Sequence, residues 1–146
     1  GKLIDGASIF RASKGLQVEH ILDRHLHVQA IRTFVSSDLD GFLFINMLPG
    51  FIHRPEKYLH GLAETVQKHG MVSKYLVIDI AHSELSYEPR HLKAILDYCK
   101  SQGYSTALDD ITSYSILREL LSFMTPDFLK IDIKLAQQAE NPVKLQ

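Results

Sequence analysis

A chain of 146 residues, 45% hydrophobic and 23% charged, is long enough to bury one core and short for two ordinary domains. Its 16 Lys and Arg against 17 Asp and Glu leave a net charge of −1 with no basic run, so DNA and RNA are not expected partners. A lone cysteine, Cys99, speaks against disulfides and a zinc cluster and fits a reducing, cytoplasmic setting; no apolar run approaches the roughly 20 residues of a bilayer span, so no membrane contact is expected of this segment.

In chain order, a mixed start leads through Phe10 to Gly15, which reads as a solvated turn. Arg11 and Lys14 stand there as candidate contacts to a ligand phosphate. From Gln17 to Phe34, residues Leu22, Leu26, Ala30, Ile31 and Phe34 recur at helical spacing, which predicts an amphipathic helix ended by the DLDG turn. The run FLFINM then reads as a strand ending near Asn46. Pro55 opens a helix reaching His69, with Gly70 as its stop. YLVIDI, carrying Asp79, is the second strand. A helix from Glu88 to Gln102 stops at Gly103 and buries Cys99, and STALDD forms the third strand with Asp109 and Asp110. A helix over Tyr114 to Phe123 and a TPD turn lead into FLKIDI, the fourth strand, with Lys130 and Asp132.

Strands alternating with helices build a parallel sheet, and ligands bind such sheets at the carboxyl ends of the strands. Side chains alternate with a period of two. Phe42, Phe44 and Asn46 therefore share a face with Tyr75, Val77 and Asp79, with Ser105, Ala107 and Asp109, and with Phe128, Lys130 and Asp132. A buried lysine and several carboxylates are costly under helices in a flat sheet, but in a barrel lumen they can meet one another or a metal. The expected fold is therefore an α/β barrel of the TIM type, incomplete in this chain, with residues 1–146 forming one domain. A complete barrel takes about 250 residues. The strand-end residues could also be solvated groups without a chemical role.

The order LFINM, LVIDI, GYSTALDD and PDFLKID resembles the EAL domain, a bacterial family of cyclic di-GMP phosphodiesterases and their non-catalytic relatives. The resemblance implies a (β/α)₈ barrel that binds the dinucleotide at the strand ends and uses two Mg or Mn ions to generate the attacking hydroxide. On that pattern Asn46, Asp79, Asp109 and Asp110 stand where the family holds metal, with Asp79 in place of a glutamate. Lys130 and Asp132 stand at the catalytic positions, Lys130 orienting the nucleophilic water. Arg11, Asn46, Asp109 and Lys130 would contact the ligand.

Departures from the pattern point away from hydrolysis. The Glu-Ala-Leu signature is absent from GKLIDGASIF, and Asp79 is one methylene shorter than glutamate. His82 replaces a second glutamate, the loop DDITSYSIL lacks the glycines of the family loop DDFGTGYSS, and NPVKLQ precedes the family's later glutamate and final strands. The resemblance therefore implies a degenerate domain in cyclic di-GMP signalling, a nucleotide sensor or protein-interaction module with little or no hydrolysis. An active metal-dependent phosphodiesterase is the alternative. Expected partners are cyclic di-GMP and a protein partner or flanking signalling domain; the open barrel reads as a fragment, with closure by a second copy in a homodimer as the alternative. His25, His27, His53, His60 and His69 are expected at the surface, since no HExxH spacing supports zinc and His25 and His27 lie on the amphipathic helix. The ELLSFM stretch is expected to pack against the barrel.

Overall fold

A computed structural model describes residues 6–47, 55–81 and 89–139. Helices α1 (Gly6–Gly15) and α2 (Glu19–Ser36) precede strand β1 (Leu43–Met47). Helices α3 (Pro55–Tyr58) and α4 (His60–Lys68) and a 3₁₀ turn lead to β2 (Leu76–Ala81). Helix α5 (Pro89–Ser101), β3 (Ser105–Ile111), α6 (Tyr114–Leu121), β4 (Phe128–Ile131) and α7 (Ile133–Ala139) complete the order. The strands form one parallel sheet in the order β1-β2-β3-β4.

The period-two reading holds through β1, β2 and β3 as far as Asp109. Asn46 stands in register with Asp79, Asp79 with Ala107, and Ala81 with Asp109. Ile45 and Met47, Ile78 and Ile80, and Leu108 turn to the other face, where they join Leu92, Ile95 and Cys99 in the hydrophobic core. Each fully buried aliphatic side chain of this kind contributes about 1.5–3 kcal/mol. Central β2 is buried along Leu76–Ile80, as a strand flanked on both sides must be.

Glycines stop two helices where the sequence places them. Gly70 (φ 68°) and Gly103 (φ 77°) take the left-handed conformation, which lets Met71 N–H reach Val66 O and Tyr104 N–H reach Cys99 O. Ser113 caps α6 by accepting from Ile116 N–H.

On the concave face the sheet curls strongly. Phe42, just before β1, and Phe128 of β4 belong to opposite edges, yet their ring centroids are 5.2 Å apart and Phe44 lies 5.3 Å from Phe128. Phe42 also meets Tyr75 at 5.7 Å. Val77 and Ala107 in the middle strands are small and fully covered, so rings from the two edges meet over them.

Four readings need correction. Phe10–Gly15 belongs to α1, with Arg11 and Lys14 exposed, because the alternating small and long residues of GASIFRASKG also suit a helix. The helix expected over Pro55 to His69 is interrupted at buried Leu59, which separates α3 from α4. Helix α2 turns Asp23, His27 and Ile31 inward and leaves Leu26 exposed, a rotation of the expected apolar face. Asp132 lies past the end of β4 and starts α7, so it does not continue the alternation of Phe128 and Lys130.

Candidate functional site

The carboxyl ends of the strands gather Asn46, Asp79, Asp109 and Lys130 toward the concave face. Asp79 is 2% exposed, held by the middle of the sheet. Lys130 reaches it from β4 across Ala107, whose methyl leaves the path open, and donates to Asp79 Oδ2 at 2.8 Å. The same ammonium donates to Asp109 Oδ2.

A bulge aims the paired aspartates. The β3–β4 register shifts between Leu108 and Ile111, and Asp110 there takes φ 58°, a left-handed conformation that aspartate tolerates better than most residues. Asp109 Oδ1 accepts from Asp110 N–H at 2.7 Å. Little loop follows, since Ile111 is fully buried and pairs with Ile131 while Ser113 already caps α6.

Electrostatics follow from this packing. Burial raises the Asp79 pKa above the ordinary carboxylate value, with Lys130 opposing and the negative charges of Asp109 and Asp110 adding to the rise. For Lys130, burial works against the charge, but the hydrogen bonds it donates to Asp109 and Asp79 outweigh it and hold the ammonium above its usual pKa. The cluster is thus a lysine shared by two carboxylates.

The remaining expected residues make contacts of their own. Arg11 donates to Ser8 on its own helix. Asp132 Oδ1 accepts from Lys134 N–H at 2.7 Å and caps α7. Asn46 has an exposed side chain, and its main-chain oxygen lies 3.0 Å from His27 Nε2. His53 and His82 fall outside the described residues.

His27 is the residue that sequence reasoning missed, being buried and paired with Asp23 at 3.2 Å. The i, i+4, i+8 spacing of Asp23, His27 and Ile31 was its signal, hidden because two of the three are polar.

A metal centre fits these residues poorly. Of the four carboxylate oxygens on Asp79 and Asp109, two accept from Lys130 and one from Asp110 N–H, leaving buried Asp79 Oδ1 without a partner among the described residues. No group of three or more His, Cys, Asp or Glu side chains is gathered for a metal ion among those residues.

Parallel strands curled around a polar cluster at their carboxyl ends define a partial (β/α) barrel with a strand-end site. The EAL domain family model matches residues 1–145, and the chain belongs to that family. The uncharacterized EAL-domain containing protein YkuI of Bacillus subtilis is 26% identical over 129 residues, covering 86% of this chain and 31% of its own. The EAL domain of Xanthomonas citri FimX, solved in complex with cyclic di-GMP, superposes with a TM-score of 0.78 at 18% identity, over 90% of this chain and 53% of that one. BlrP1 of Klebsiella pneumoniae, solved with manganese and cyclic di-GMP, gives a TM-score of 0.68 at 23% identity, over 84% of this chain and 32% of its own. The chain thus spans about a third of YkuI and about half of the FimX chain. No helix among the described residues is long and apolar enough to cross a membrane.

Proposed function

We propose that this chain is a degenerate EAL domain that takes part in cyclic di-GMP signalling by binding the nucleotide or a protein partner, with little or no hydrolysis. One observation carries the reading: Lys130 pairs with both Asp79 and Asp109, so the two carboxylates that a two-ion centre would need are engaged by a lysine. Divalent ions bind hard oxygen ligands in several-fold sets. Of the four carboxylate oxygens of Asp79 and Asp109, one is without a hydrogen bond among the described residues, the buried Asp79 Oδ1.

Support for nucleotide binding comes from the placement of Asn46 and Lys130 at the strand ends of a fold whose relatives FimX and BlrP1 were solved with cyclic di-GMP. The short connection after Asp110 supports the loss of hydrolysis, since Ile111 and Ser113 are already committed to the sheet and to the α6 cap.

Calorimetric titration with cyclic di-GMP, with and without Mg²⁺, tests the reading when the product is also checked for the linear dinucleotide. Binding without turnover is the expected result. Metal-dependent turnover would replace the reading with a phosphodiesterase, and absence of binding under both conditions would leave the protein-interaction role alone.

A further inference from the structure

Helix α2 buries two polar residues one turn apart, Asp23 (4% exposed) and His27 (8% exposed). Burying a carboxylate costs several kcal/mol unless both its oxygens are served. Here Tyr58 O–H from α3 donates to Asp23 Oδ2, and His27 Nε2 lies 3.2 Å from Oδ1. Burial and then Asp23 itself push the Tyr58 pKa well above its ordinary value, so the phenol stays a donor.

The last link leaves the helix. His27 Nε2 lies 3.0 Å from the main-chain oxygen of Asn46. Both of its neighbours are acceptors, a carboxylate and a carbonyl, so Nε2 carries its single hydrogen, which is directed at the Asn46 carbonyl while Asp23 Oδ1 stands beside it as a charge partner. A chain of polar groups thus runs from Tyr58 through Asp23 and His27 to the carbonyl near the end of β1. That carbonyl belongs to the residue in register with Asp79, at the strand-end edge of the concave face.

We propose that His27, oriented by Asp23 and Tyr58, is a positioning residue: it fixes the Asn46 peptide and so the direction in which the Asn46 amide meets a ligand. The inference rests on the reading that the strand-end face binds a nucleotide. A hydrogen bond aimed at one carbonyl goes beyond what helix packing requires, because an apolar residue at position 27 would fill the same space without it. Substituting the donor removes a directional anchor on that carbonyl, leaving the Asn46 peptide held by the β1–β2 ladder without it.

The test compares His27→Leu with His27→Gln, whose side-chain amide can donate from about the place of Nε2. Three quantities are read for each: the NMR resonances of Asn46, the affinity for cyclic di-GMP, and Tm. In H27L the Asn46 side-chain amide resonances are expected to shift and broaden and Kd to rise about tenfold, the loss of about one hydrogen bond to a ligand. H27Q is expected to recover both. Unchanged Asn46 resonances and Kd in H27L would overturn the proposal, as would equal defects in H27L and H27Q, which would mark a purely structural role. Should H27L not fold, Tyr58→Phe decides through the same resonances: a shift at Asn46 supports the chain and none refutes it. If the unmodified protein binds no cyclic di-GMP, the binding reading fails on its own, while the resonances still judge the positioning.

Discussion

Lys130 Nζ lies 2.8 Å from Asp79 Oδ2, so a cation from edge strand β4 neutralises a carboxylate that β2 buries two strands away. Ala107, which pairs with Asp79 on one side and with Phe128 on the other, presents only a methyl group along this path. The pair joins strands that share no ladder hydrogen bond.

Replacing Lys130 by Met should therefore destabilise the fold. Removing one partner of a fully buried pair costs about 3–5 kcal/mol. The Lys130 side chain is 44% exposed, so water supplies part of what is lost and about 1–3 kcal/mol is expected from urea unfolding at pH 7. The pH dependence has a definite sign. Asp79 has a raised pKa in the folded state, so its contribution to stability is present below the ordinary carboxylate range and is lost as pH rises. Without Lys130 the rise becomes larger. The deficit of K130M should be greatest at neutral pH and shrink toward pH 3, and a deficit that grows in acid would contradict the pairing.

The aspartate of PDFLKID that precedes the strand has a structural role. Asp127 Oδ2 accepts from Thr106 N–H at 2.8 Å and from Thr106 Oγ1 at 2.9 Å, while Asp127 N–H returns a bond to Thr106 O. Thr106 is fully buried. Asp127→Ala should cost about 2–3 kcal/mol, the scale of hydrogen bonds to a charged acceptor plus a stranded buried donor, and Thr106→Val about 1 kcal/mol. The double variant should cost less than the sum, because the two changes remove shared bonds. Strict additivity in thermal unfolding would show that the two residues act separately.

Cys99 is fully buried, and burial pushes its thiol up to about 12. It should resist Ellman's reagent at pH 8 in the folded protein and react at once in denaturant. Tyr104 beside it is likewise pushed up to about 12, mainly by burial. Both groups favour the protonated folded state, so the stability they contribute is complete below their unfolded pKa values and declines above them. Alkaline unfolding curves should lose about 1.4 kcal/mol per pH unit for each group between its ordinary value and about 12. Flat stability across that range would show that neither is buried in solution.

Two glycines should respond oppositely to alanine. Gly103 has φ 77°, and although the nearest atom to an added Cβ would be Ser73 Cβ at 3.6 Å, the conformation itself costs a side chain about 1 kcal/mol. Gly61 lies within α4, where the three atoms nearest to an added Cβ all belong to the guanidinium of Arg24. That group can swing aside, so the gain in helix propensity, up to about 1 kcal/mol, should leave G61A near or above the parent stability. A marked loss in G61A would reveal that Arg24 is fixed in place.

The sequence by itself determined the strands, the helix stops and the face on which the polar residues meet. These depend on neighbours a few positions apart: alternation puts Asn46, Asp79, Asp109 and Lys130 on one side, and glycine alone enters the left-handed region at low cost after α4 and α5. Only the tertiary structure decided what those residues do. The Asp109–Asp110 bulge, the transfer of Asp132 to a helix cap and the lysine shared between two carboxylates each depend on chain segments meeting in space. Helix α2 shows the reason most directly. His27 reads as a surface residue because a buried polar side chain is stable only with a partner, and its partner, the carbonyl of Asn46, lies 19 residues away; Tyr58, which serves the buried Asp23 beside it, lies 35 residues from that aspartate.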